Sequence, residues 1–482
     1  MDERRSRNES DSARIAECHS ARSVIGSAAL VLAGCQSYEP RPLDAAAHRD
    51  AWHARTLEAG SIRGFLERMD RDLTGQVGEF DPTDGLSLGE GQLVALVFNP
   101  GLRLARLHVG EVAATAEHAS LWADPKLSVS ALRITESVPD RWVVTPGLTF
   151  SIPISGRLAA EQGLADATYR AAEHRTLEAE WAVWDAVRRA WFEWSAARLR
   201  VEETERLIDA LDTLVRTTSQ LAESGELPRT EASLFLVEQA QRKNGLRRLR
   251  GDVAVVEYQL LAHMGLAPDA PVTLLPSLAL PPENAVVGGA PAVPRAMIGE
   301  RNPSLARLRA EYEVAEQALR REIAKQYPDL TLGPQYETDA GQSRVGLMGG
   351  IPLPFLNANR QAIAEARVGR EIARAALETE YESLAGRWVA AAVRAEALAG
   401  QRAEIEAVLV PLVDRQLKDA LQLIQLGEGT SLVLLESLTR AHQTKRELIE
   451  TRLAEALARA SLEYLTGPFI PERPSDAKQE TP

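Results

Sequence analysis

The side chains that could carry chemistry are few, and none is spaced as an enzyme needs. Both cysteines, Cys18 and Cys35, precede residue 40, and Cys35 directly follows the apolar run VIGSAALVLAG at 24–34. A thiol in that place is a target for acylation. It is not a zinc ligand, because no cluster of Cys and His stands around it. The eight histidines form no H-x-x-x-H pair and the five methionines do not cluster, so no metal site and no cofactor is expected. No Walker loop, HExxH or nucleophile elbow occurs, and nothing points to an enzyme. Trp181, Trp184, Trp191 and Trp194 share one helical stripe. Such a strip can hold a substrate, but aromatic residues at helical spacing usually pack helix on helix, which is the expectation here.

The run before Cys35 is too short to span a bilayer, which takes about 20 apolar residues. Ending in small residues, it suits a secretory signal over 1–34. Leu32-Ala33-Gly34-Cys35 resembles a bacterial lipobox, in which the cysteine is lipidated and the chain is cut before it. Residues 35–86 are then a lipidated N-terminal segment. Gln36 is not the Asp that signals inner-membrane retention in such lipoproteins.

The chain has 482 residues and a formal net charge of −13, which argues against nucleic acid as a partner. Aromatic residues are 5% and charged residues 26%, with Ala, Leu, Glu and Arg in long runs that favour helix. Asn-Pro-x-Leu opens a helical run at Asn99 and again at Asn302. Pro100 and Pro303, Pro125 and Pro328, Pro153 and Pro352, and Gly225 and Gly427 are offset by 203, 203, 199 and 202 residues. Four landmarks at nearly one offset mark a tandem duplication, 87–264 and 301–467, joined by a Pro- and Ala-rich linker at 265–300 and followed by a disordered tail at 468–482.

Each half has one order of elements. Ser87-Leu-Gly-Glu90 is a capping box that starts a helix expected over 88–123. Residues 126–154 form a β-hairpin. From Leu164 to Ser224 no Gly or Pro interrupts 61 residues, so one helix of ~100 Å follows at ~1.5 Å per residue. Gly225 and Pro228 break it, and a helix over 228–264 closes the half. The second half repeats this with a helix at 301–327, a hairpin at 329–353, a long helix at 357–425 with an irregular turn near Pro411, and a last helix at 430–466.

Ten residues at ~3.3 Å, tilted ~40°, give ~25 Å, the apolar height of an outer-membrane barrel. Four strands cannot close, and an open edge leaves backbone groups unsatisfied in lipid. Three copies supply twelve strands. The fold class expected is mainly α with a small β-barrel: a homotrimer whose 12-stranded outer-membrane barrel continues as a long α-helical periplasmic tube.

The chain resembles the TolC-like outer-membrane efflux proteins. The resemblance rests on the lipobox, DGLSLGEGQLVALVFNPGLRLAR, LWADPKLSVSA, AVWDAVRRAWFEW, IPLPFLNANRQAIAEA and the two Gly-centred turns, and spans about 35–467. IPLPFLNANRQAIAEA looks most like the branch that serves heavy-metal cation pumps. The resemblance implies a lipid-anchored trimeric channel in outer-membrane lipid, working with a periplasmic adaptor and an inner-membrane pump of the proton-driven type. It places Gly225, Glu226, Gly427 and Glu428 at the adaptor-docking tips, flanked by Leu221, Ser224, Leu423 and Gln425. It makes Glu231 and Glu436 candidate pore-lining carboxylates, since a ring of three would favour cations; solvated helix surface is the commoner place for a Glu. A periplasmic adaptor lipoprotein would need a β-rich half and only one helical hairpin. A coiled-coil scaffold without a pore would need no paired β-hairpins.

Overall fold

The computed structural model describes residues 38–57, 62, 64, 80–135, 142–278, 295–339, 342–426 and 430–468. Cys35, Gly427, Glu428 and the expected signal over 1–34 lie outside the described residues, as does the expected tail except for Pro468. The chain divides into two compact units, Met1–Ala54 and Arg55–Pro482. In the first, α1 (Ala45–His53) starts where the Asp44 carboxylate accepts the amide N–H of Ala47.

The first described element of the second unit is α2 (Leu88–Phe98). The expected capping box is present: Ser87 Oγ accepts from the Glu90 N–H, and the Glu90 carboxylate accepts from the Ser87 N–H at 2.8 Å. The helix expected over 88–123 does not run through. It breaks at Asn99, and α3 (Pro100–His118) starts on Pro100, whose ring has no N–H to extend α2. The remaining elements are β1 (Lys126–Arg133), β2 (Trp142–Ile152), α4 (Arg157–Glu223), α5 (Arg229–His263), α6 (Arg295–Arg301), α7 (Pro303–Ala324), β3 (Leu330–Asp339), β4 (Gln342–Gly350), α8 (Arg360–Glu404), a π-helical turn (Ile405–Leu409), α9 (Val410–Gln425) and α10 (Ser431–Thr466). The π turn sits just before Pro411, where the sequence predicts irregularity. A wider hydrogen-bonded ring there moves the preceding carbonyls clear of the proline.

The Asn-Pro repeat is a splice between helices. The Asn99 side chain accepts from the N–H groups of Gly101 and Leu102 and donates from Nδ2 to the carbonyl of His263, 2.8 Å away. Asn302 does the same to Ser304, Leu305 and the carbonyl of Leu465. Each asparagine thus caps the helix that leads to the sheet and receives the end of the helix that returns from the far turn. Gly265 and Gly467 complete the two joints with positive φ. A Cβ at either would sit 2.2 or 2.4 Å from the carbonyl oxygen of Phe98 or Arg301, so only glycine fits. End to end, α5 and α3 line the 67-residue α4, while α10 and α7 line α8 and α9.

The four strands form one antiparallel sheet in the order β1-β2-β3-β4. Near the sheet the helices lie side by side in the matching order α3-α4-α7-α8; beyond the joints the order is α5-α4-α10, then α8 and α9. Every strand therefore continues into a helix of the same lateral position. The core sits at the joints. Trp184, Trp191 and Trp194 are buried with Leu93, Val94 and Leu260 in the first half, and Trp388 with Leu305, Leu384 and Leu462 in the second. Trp181 stacks on Tyr464 and donates to its carbonyl at 3.0 Å. The tryptophan stripe is packing, as its spacing predicts. Gly91 is needed beneath it, because a Cβ there would meet the Trp191 ring at 2.5 Å.

Candidate functional site

The sheet is where the chain can meet two solvents. Antiparallel register places directly paired residues on the same face. Leu127 pairs with Leu148, Val129 with Pro146 and Ala131 with Val144; Phe150 pairs with Leu332 and Ile152 with Leu330; Tyr336 pairs with Val345 and Pro334 with Leu347. All fourteen of these residues share one face, and none is charged. The opposite face carries Ser128, Ser130, Thr145, Gly147, Thr149, Ser151, Thr331, Gln335, Glu337, Arg344 and Gly346. Glu337 and Arg344 pair there at 3.3 Å. The first face suits hydrocarbon, with Arg133 at the far end of β1 and Thr338 and Ser343 at the adjoining ends of β3 and β4; the second, which also carries Lys126, Leu132, Val143 and Met348, suits an aqueous lumen. Gly333 marks the tightest approach within the sheet: a Cβ would fall 1.7 Å from the Leu148 carbonyl oxygen.

Each outer strand has one edge without a strand partner among the described residues. All eight residues of β1 and all nine of β4 are exposed, among them Leu127, Val129, Leu132, Val345 and Leu347. A flat apolar edge of this length leaves backbone donors and acceptors without partners, and such an edge is satisfied by another strand. Among the described residues no helix is long and apolar enough to cross a membrane, and no group of three or more His, Cys, Asp or Glu could hold a metal ion.

The strand roots are pinned by charge. Arg157, at the start of α4, bridges Glu161 at 2.7 Å and Asp329 at 2.9 Å, tying β2's exit to β3's entry. Asn359, in the left-handed region at φ 53°, donates from Nδ2 to both the carbonyl and the carboxylate of Glu322. Burial pushes the Glu322 carboxyl up, but hydrogen bonds from Lys325, Asn359 and Arg321 outweigh it and hold the group at about 2. Glu322 thereby joins the end of α7 to the start of α8.

At the opposite end, α4 stops at a glycine turn. Gly225 has φ +81°, and the N–H groups of Glu226 and Leu227 both donate to the carbonyl of Leu221. This is the left-handed helix stop expected of Gly225. Ser224 and Glu226 are exposed, and apart from its chain neighbours no described residue comes within 4 Å of where a Cβ on Gly225 would be. The equivalent turn at Gly427 and Glu428 lies outside the described residues; Leu423 beside it is exposed. The two carboxylates after the turns differ. Glu231 is half-buried and accepts from Ser431 Oγ at 2.5 Å, linking α5 to α10. Glu436 is exposed and pairs with Arg440 at 2.8 Å, one turn on. Behind them, Phe235, Leu207, Leu211 and Leu438 pack together and hold the two helical hairpins side by side.

Sequence reasoning missed three parts of this arrangement: the splices at Gly265 and Gly467, the Glu231–Ser431 link, and the cluster at the π turn. In that cluster Arg402 donates to the fully buried Glu455 at 2.6 Å and to Glu406 at 2.7 Å, and Glu406 also accepts from Arg452. Gly265 and Gly467 repeat at the offset of the other landmarks and were legible in principle.

Residues 94–265 match the family model described as outer membrane efflux protein. No curated protein matches the chain. Among solved structures, CusC superposes with a TM-score of 0.66 at 16% identity, covering 79% of this chain and 92% of that one. The outer membrane protein VceC from Vibrio cholerae gives 0.64 at 18% identity, covering 79% and 96%. The outer membrane channel CmeC from Campylobacter jejuni gives 0.65 at 13% identity, covering 90% and 94%. The helical layer with its small sheet is thus the fold of solved outer-membrane channels, as the resemblance drawn from the sequence implies.

Proposed function

We propose that this chain is the outer-membrane channel component of a tripartite efflux system, a passive exit duct from the periplasm across the outer membrane. The observation that carries the reading is the sheet: four strands with an apolar face, a polar face and two open edges, continued strand by strand into a helical wall. Three copies close it into twelve strands and extend it as a periplasmic tube. The duct has no chemistry of its own. Cys35 anchors the chain through lipid. The turns at Gly225, Glu226, Gly427 and Glu428 receive a periplasmic adaptor, which connects to an inner-membrane pump of the proton-driven type. Glu231 and Glu436 lie just inside those turns and set the charge of the entrance. The motif at 351–366 supports a heavy-metal cation as cargo.

Conductance across planar bilayers tests the reading, together with amine-reactive cross-linking of the full chain in detergent. The expected result is a trimer with stable single-channel steps. A monomer or dimer without conductance overturns it. Palmitate labelling that persists in Cys35→Ser would remove the anchor and leave the duct.

A further inference from the structure

The two open edges also fix how neighbouring copies must join. We propose that β4 of one copy pairs antiparallel with β1 of the next in a single register, with Val345 opposite Arg133, Leu347 opposite Ala131 and Gly349 opposite Val129. This rests on the channel reading and adds to it the seam between copies.

The argument follows one row of paired residues across the sheet. Val129 faces Pro146. Pro146 lies between the paired residues Val144 and Gly147 and so is in step with Tyr336, which faces Val345. In a closed barrel the row does not return to its starting height, because tilted strands stagger around the circumference. For twelve strands ~4.8 Å apart rising ~3.3 Å per residue, tilts of ~35–45° correspond to a total stagger of about 12–18 residues. Threefold symmetry gives each copy about four to six of these. The apolar face must stay continuous across the seam, so the step per copy is even; an odd step would turn β1 inside out. Only steps of about four or about six remain.

Three observations select four. A step of four pairs Ser128–Arg133 with Val345–Gly350, whereas six leaves only Ser130–Arg133 with Leu347–Gly350. Across one copy the strand roots drift by two residues net in the required direction: Lys126, first in β1, faces Thr149, three residues before the end of β2; Ile152 faces Leu330, first in β3; and Gly350, last in β4, faces Thr331, one residue back. Finally, four sets a small residue beside a large one along the lumen side, with Leu132 opposite Gly346 and Ser130 opposite Met348. Six would crowd Leu132 against Met348.

Cysteine pairs in the full-length chain, oxidised mildly in outer-membrane fractions, read the register. Ala131→Cys/Leu347→Cys should give reducible dimers and trimers at about tenfold the yield of Arg133→Cys/Leu347→Cys, the step of six, or Leu132→Cys/Leu347→Cys, the opposite face, because disulfide geometry tolerates little displacement. Val129→Cys/Gly349→Cys tests the same register should the first pair fail to assemble. If trimers form under amine cross-linking yet another pair gives the higher yield, or neither in-register pair links, the seam is wrong and the channel reading stands. Absence of any trimer overturns both.

Discussion

Neighbouring residues in β2 offer a direct test of the two faces. Leu148 pairs with Leu127 on the apolar face, while Thr149 pairs with Lys126 on the polar one. Leu148 lies six residues after Trp142 and four before Ile152 in an 11-residue strand. At ~3.4 Å per residue and ~40° tilt, that puts it within about 5 Å of the middle of the apolar band. An arginine at the midplane of a barrel's lipid face costs ~2–4 kcal/mol, so Leu148→Arg should cost on the order of 6–12 kcal/mol over three copies. Thr149→Arg points into the lumen opposite Lys126, where twelve strands leave room for a solvated guanidinium to turn away from that charge, and should cost under about 1 kcal/mol per copy. Two measurements follow: the fraction of oligomer that survives unheated detergent electrophoresis, and urea unfolding in lipid vesicles monitored by tryptophan fluorescence. Leu148→Arg should abolish the oligomer, and Thr149→Arg should retain it with altered conductance. Equal damage from both substitutions, or none from either, would refute the face assignment.

Asn302 is buried and Asn99 is not, so Asn302→Ala should cost about 2–3 kcal/mol, as a lost cap plus an unsatisfied Leu465 carbonyl, while Asn99→Ala costs about 1; guanidinium unfolding followed at 222 nm compares them. Glu322 titrates at about 2 folded against an ordinary 4.5, so its contribution is full above about 4.5 and fades as pH falls toward 2. Glu322→Gln should lower the melting temperature at pH 7 and leave it nearly unchanged at pH 2, and a loss of equal size at both would count against the ion cluster. Gly225→Trp should strain the turn by about 1 kcal/mol and leave trimer assembly intact while adaptor pull-down fails; intact pull-down in both this variant and Gly427→Trp would place docking elsewhere.

The elements were legible because their signals are local. Ser87 and Glu90 announce a capping box, the run from Leu164 to Ser224 lacks any breaker, and Pro125 and Pro328 stand between a helix and the strand that follows, although the first helix ends at His118, short of the expected residue 123. The break at Asn99 was misread as the interior of a helix, although Pro100 excludes an interior position. What no local window contains is the contact with His263, 164 residues away, which makes the break a joint between helices. The face of each strand residue was likewise hidden. Alternation supplies two sets, but only the pairing of Phe150 with Leu332 and Tyr336 with Val345 shows that the apolar sets of all four strands coincide. Glu231 and Glu436 looked equivalent after their glycines. They are not, because Ser431 reaches only Glu231.

The splices at Asn99 and Asn302 also govern how the molecule can change its length. α4 runs unbroken for 67 residues and serves as a ruler, whereas its partners α5 and α3 abut end to end at a joint made by one asparagine and one glycine. A heptad inserted into α4 alone would drive that joint apart by ~10 Å. The same heptad added to both α4 and α5, with its counterpart in α9 and α10, would leave each joint and the whole sheet where they are. The length of the helical layer is therefore adjustable only in matched sets of insertions on the far side of the splices, and sequence relatives of different span should differ there in multiples of seven.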